Sequence, residues 1–147
     1  MTEKRGIGFW VLISLSSLLA FFLIIGQTFS LINYEQAVAL GLQESIDEIG
    51  ETGIVWAKSF AFGDTVFYIP LLIAGIIGLL KEKKWGSYAM FGSLAVTVYW
   101  PIVHLYFIYA GRGVIDLSPD KYLSYSIILP LLVIYSLWGM WFLLKHK

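Results

Sequence analysis

Four stretches of this chain, about residues 7–32, 57–80, 85–110 and 122–144, run almost without charge for the roughly 20 residues that a helix needs to cross the hydrocarbon of a bilayer. Nothing else in the sequence restricts the fold as strongly. The expected architecture is an all-α integral membrane protein. It is a single domain over residues 1–147, an antiparallel four-transmembrane-helix bundle whose short connections set consecutive helices side by side. The first stretch follows "MTEKR", but its apolar core exceeds the roughly 7 to 15 residues of a secretory signal, so it is read as a retained span.

Composition agrees and removes several function classes. The chain is 59% hydrophobic and 14% charged, against roughly 25% charged in soluble domains. It has no cysteine, which excludes disulfides, thiolate metal sites, iron–sulfur clusters and dithiol redox chemistry. The formal net charge is zero and no long basic tract is present, so nucleic acid is not an expected partner. The expected partners are membrane lipids, a small amphipathic molecule, and a second copy of the chain or a larger membrane protein.

The basic residues set an orientation. With the N-terminus inside, Lys4, Arg5, Lys81, Lys83, Lys84, Lys145 and Lys147 face the cytoplasm, which leaves Lys58, Arg112 and Lys121 outside. Both termini are then cytoplasmic in a multi-pass topology, and "NYEQAVALGLQESIDEIGETG" is extracytoplasmic. Trp10, Trp56, Trp85, Trp141 and Tyr122 fall near the segment ends, where interfacial anchors belong. In the long outer connection Val38, Leu42, Ile46 and Ile49 recur at helical spacing, and Glu44, Asp47, Glu48 and Glu51 occupy the opposite face. This pattern predicts an extracytoplasmic amphipathic helix between spans 1 and 2, over about Tyr34 to Ile49, with its carboxylates in water.

Asp64 breaks the apolar pattern. Counted outward from Leu80 at 1.5 Å per residue, it sits roughly 24 Å up a hydrocarbon core of about 30 Å. The same count puts His104 about 27 Å up the third span and Gln27 about 30 Å up the first. A carboxylate at that depth is expected to face the bundle interior or a water-filled cavity. Lys58 is six residues away and off its helix face, so its partner must come from another helix, with His104 and Arg112 as candidates. Pro70, Pro101 and Pro130 free the carbonyls of Val66, Thr97 and Ser126 in the outer halves, whereas "AGIIG" and "AMFGS" place small residues in the inner halves. A close-packed inner half below a kinked, polar outer half points to an outer-leaflet pocket.

The expected function is therefore binding or transport of a small amphipathic or cationic ligand. Asp64 serves as the charge partner, Tyr68, Tyr99, Trp100 and Tyr106 as aromatic walls, and His104, Gln27 and Arg112 as polar contacts. Two alternatives come from other classes: an intramembrane enzyme with Asp64 and His104 as acid and base, and a structural subunit whose Asp64 pairs with a partner's cation. No cofactor or metal is expected. The second histidine, His146, lies at the opposite end, and a catalytic zinc would have only His104, Asp64 and Glu35 to draw on.

Overall fold

Each apolar stretch is helical in the computed structural model, which describes residues 6–146. Helix α1 (Ile7–Leu23), a π-helical turn (Ile24–Thr28) and α2 (Phe29–Ile32) form the first long helix. A short helix α3 (Tyr34–Ala39) follows. Helix α4 (Ile46–Gly63), a second π-helical turn (Asp64–Tyr68) and α5 (Ile69–Leu80) form the second long helix. Helices α6 (Lys84–Ala110) and α7 (Pro119–Lys145) are the third and fourth. All four are long and apolar enough to span a membrane. Lys4, Arg5 and Lys147, which contribute to the orientation argument, lie outside the described residues.

The connection before the second long helix, expected to be at least partly helical, is helical at its two ends and not between them. Helix α3 stops because Gly41, at φ 71°, takes the left-handed conformation that other residues avoid. The amide of Gly41 then donates to the Val38 carbonyl and that of Leu42 to the Ala37 carbonyl, both at 2.9 Å, which closes the helix end. Residues 40–45 run as a non-helical strap. Helix α4 begins at Ile46 rather than near Ala57, because Glu48 reaches back to accept from the amide of the N-cap Ser45 at 2.8 Å. Gly50, at φ 68° and ψ 174°, kinks α4 one turn later in a region almost confined to glycine.

Two hydrophobic clusters among the described residues hold the helices together. The larger gathers Leu12, Leu19, Leu72, Met90, Leu94 and Leu143 from all four long helices. Its tightest seam joins α5 to α6. A Cβ on Gly78 would stand 2.3 Å from the Gly86 Cα, and one on Gly75 would stand 2.8 Å from the Met90 backbone. These contacts let the two backbones touch, as small residues do where apolar helices pack. The second cluster, Ile49, Ala57, Ile108, Ile115 and Leu117, sits at the other end and joins α4 and α6 to the loop before α7. That loop is tied down where the Asp116 amide donates to the Glu48 carbonyl at 2.9 Å.

Candidate functional site

Between the two clusters the helices stop being regular. At Ile24–Thr28 and Asp64–Tyr68 the hydrogen bonds shift to a five-residue spacing: the Phe29 amide reaches the Ile24 carbonyl and the Ile69 amide the Asp64 carbonyl. Pro70 explains the second shift, since it has no amide to give the Val66 carbonyl and its ring crowds that turn. The π-helical turns lie beside each other, joined by Thr28 Oγ1 and Thr65 Oγ1 at 3.0 Å. Such turns aim side chains where a regular helix would not, and they recur at functional sites. Here they carry Gln27 and Asp64.

Both residues line a cavity of about 210 Å³. His104, Trp100 and Phe107 of α6, Trp56 and Phe60 of α4 and Tyr125 of α7 form its walls, with Leu42, Gln43 and Glu44 above them. The walls are mutually braced rings. Trp56 stacks on Phe107 with centroids 4.2 Å apart, and His104 packs against Trp56 at 5.9 Å and edge-on against Tyr125 at 5.1 Å. Asp64 is only 8% exposed. It makes no hydrogen bond or ion pair to any described residue, and neither does the His104 ring form a hydrogen bond. Trp100 Nε1 is a buried donor that meets no acceptor in hydrogen-bond geometry among the described residues, although the Tyr68 hydroxyl, which donates to Thr97 Oγ1 at 2.5 Å, lies near it.

The strap lines the cavity on the side of the second cluster. Gln43 Nε2 donates at 2.9 Å to the Gly26 carbonyl, at the first π-helical turn. The Tyr125 hydroxyl donates to Glu44 Oε1, and the Tyr34 hydroxyl donates to the Glu44 carbonyl at 3.0 Å. Burial, and then the Glu44 and Glu48 carboxylates, push the Tyr34 hydroxyl up to about 12, so it stays a neutral donor. Glu44 is therefore 7% exposed rather than in water. Glu48, another carboxylate of that face, holds Lys121 Nζ at 2.6 and 2.7 Å. Because this pair is partly exposed, Glu48→Gln should cost under about 1 kcal/mol of stability. It should nonetheless speed amide exchange across residues 42–49, read by mass spectrometry. Unchanged exchange there would mean that Gln43 and Glu44 hold the strap unaided.

Of the residues singled out in the sequence, the structure brings Gln27, Asp64, Trp100 and His104 to the cavity. Tyr68 and Tyr99 line a neighbouring groove instead. Tyr99, 66% exposed, and Tyr106, 76% exposed, point outward. Helical spacing explains this: Thr97, Trp100, His104 and Ile108 share the inner face of α6, and Tyr99, Ile102 and Tyr106 fall on the outer one. Arg112 does not reach Asp64. Its guanidinium lies over the rings of Tyr109 and Tyr122, at 4.6 and 5.4 Å. Trp56, expected as an interfacial anchor, is a cavity wall. Trp56, Phe60, Gln43, Glu44, Phe107 and Tyr125 were not legible as lining residues; only the helical offset of Trp56 and Phe60 from Asp64, by eight and four residues, hinted at them. No group of three metal-ligating side chains occurs among the described residues. Compared with family models, curated proteins and solved structures, the chain matches none of them.

Proposed function

We propose that this chain is a multi-pass membrane protein that binds a small organic cation, a primary or quaternary amine, in the cavity around Asp64. The observation that carries the reading is the carboxylate itself, buried, facing the cavity and unpaired among the described residues. Buried charges are normally matched. The nearby basic side chains are engaged elsewhere: Lys58 lies over the Tyr34 ring at 5.2 Å, Arg112 over Tyr109, and Lys121 on Glu48. The matching cation is then the ligand's. Trp56, Trp100 and Phe60 offer ring faces that attract an ammonium once water is excluded. The space, about 210 Å³, exceeds the roughly 150 Å³ of an apolar cavity that takes up benzene and so suits a compact amine.

In this reading the long helices stand antiparallel, with both termini cytoplasmic and the cavity in the outer half of the bundle. The second long helix has 35 residues, roughly 52 Å, and exceeds a hydrocarbon core of about 30 Å. Its first turns, with α3 and the strap, stand outside the membrane as a surface cap. Because the chain has no cysteine, single introduced cysteines report the topology cleanly. In cells, Asp47→Cys should react with an impermeant maleimide and Lys83→Cys should not; the reverse labelling would invert the topology.

Binding is tested by titrating purified protein with benzylammonium and following the fluorescence of Trp56 and Trp100. A saturable change is expected, with none from benzyl alcohol at the same concentrations. Equal responses to amine and alcohol would overturn the cation reading. An intramembrane enzyme is the second reading, favoured by one observation, that Asp64 and His104 line the same cavity. Recovery of bound amines chemically unchanged after prolonged incubation would count against it.

A further inference from the structure

Asp64 borders two spaces. Besides the cavity, it lines a groove of about 380 Å³ between the second and third long helices. Phe60, Asp64 and Trp100 belong to both, so these three side chains are the partition between them. The rest of the groove is almost wholly apolar, and Asp64 is the one carboxylate or base on it. Its outer walls, Phe67 and Tyr99, are 62% and 66% exposed on the surface that lipid would cover. The strap, by contrast, is tethered by hydrogen bonds to Gly26, Tyr34 and Tyr125 and anchored by the Lys121 pair.

We infer that the site takes amphipathic amines laterally from the membrane, with the ammonium on Asp64 and the apolar tail lying in the groove between Phe67 and Tyr99. This rests on the cation reading above and adds the ligand class and the access route. The chemistry is complementary at both ends. A lipid-dissolved amine leaves its tail in an apolar channel open to the acyl chains, and it turns only its charged end inward past Phe60 and Trp100. The unpartnered Trp100 Nε1, at the same partition, is a donor for an oxygen placed beside the amine.

Gly63 supplies the test. It lines the groove, has ordinary helical angles of φ −58° and ψ −42°, and a Cβ built on it meets nothing within 4 Å. Gly63→Phe should therefore fold and fill the groove while leaving the cavity free. The probe is a decylammonium carrying a tail diazirine, photolysed with the protein in phosphatidylcholine nanodiscs and mapped by mass spectrometry. In the parent, label is expected on Phe67, Val96 or Tyr99, displaced by excess benzylammonium. Gly63→Phe should weaken decylammonium binding roughly tenfold or more and leave benzylammonium binding within about twofold. Comparing parent and variant in the same lipid cancels membrane partitioning of the tail. If benzylammonium binds but the label falls elsewhere, or ignores Gly63→Phe, the lateral groove is wrong and the cavity stands. Equal labelling by the matching neutral alcohol would remove Asp64 as the recognising group and overturn the inference. If benzylammonium fails to bind the parent at all, the cation reading itself falls.

Discussion

Asp64→Asn is expected to weaken benzylammonium binding about ten- to a hundredfold and to leave the melting temperature within a few degrees of the parent. Hydrogen bonds to charged groups contribute about 1.5 to 3 kcal/mol, which gives that range of affinity loss. The stability expectation follows from the absence of any partner for Asp64 among the described residues. Asparagine keeps the shape and takes an uncompensated charge out of a buried site, so no cation is stranded. His104→Gln should likewise fold, because rings rather than hydrogen bonds hold the imidazole. A structural ion pair behaves in the opposite way, since removing one member of a buried pair costs about 3 to 5 kcal/mol. Thermal unfolding in detergent separates the two. A large loss of stability in Asp64→Asn, restored by also neutralising Lys58 or Arg112, would make the carboxylate a helix clamp and remove the main support for binding.

Gly86→Leu should be the most destructive single change to the fold. A Cβ on Gly86 would stand 2.3 Å from the Gly78 carbonyl carbon and 2.5 Å from the Leu79 nitrogen. The obstacle is backbone, which has no rotamer to yield, so α5 and α6 must separate along their closest seam. Overpacked cores usually lose about 1 to 3 kcal/mol, occasionally more, and a backbone collision belongs at or above the top of that range. We expect aggregation, or a melting temperature too low to purify the variant as a single species by size exclusion. Gly26→Ala, where an added Cβ meets nothing within 4 Å, is the control and should behave as the parent does. A well-behaved, parent-like Gly86→Leu would show that the two helices do not meet at this seam.

Both predictions draw on features that were unequally legible. The small residues around Gly78 and the lone Asp64 stand out in one dimension, because glycine spacing and a charge in an apolar run carry their physical cost locally. The level shared by Gln27, Asp64 and His104 was likewise accessible by counting rise per residue, since a membrane helix has one fixed pitch. The break at the strap has an equally local cause. The periodicity of Val38, Leu42, Ile46 and Ile49 fits a helix, yet Gly41 ends it and Ser45 with Glu48 starts the next. Those stop and start signals outweigh a four-residue apolar stripe.

The sequence by itself determined that this chain is helical, that four of its segments can span a bilayer, and that an ionisable group is buried where charge is costly. Run length, composition and glycine chemistry act within a single segment, and need no neighbour to take effect. Which side chains surround Asp64 was decided only in three dimensions. Two π-helical turns rotate Gln27 and Asp64 towards one space, and the aromatic face of α6 turns Trp100 and His104 inward while Tyr99 and Tyr106 turn out. The pairing of Arg112 with Tyr109, of Lys121 with Glu48 and of Glu44 with Tyr125 was decided there too. Charges far apart in the chain choose partners by where helices end and how loops fold back. That choice is what leaves Asp64 unpaired among the described residues.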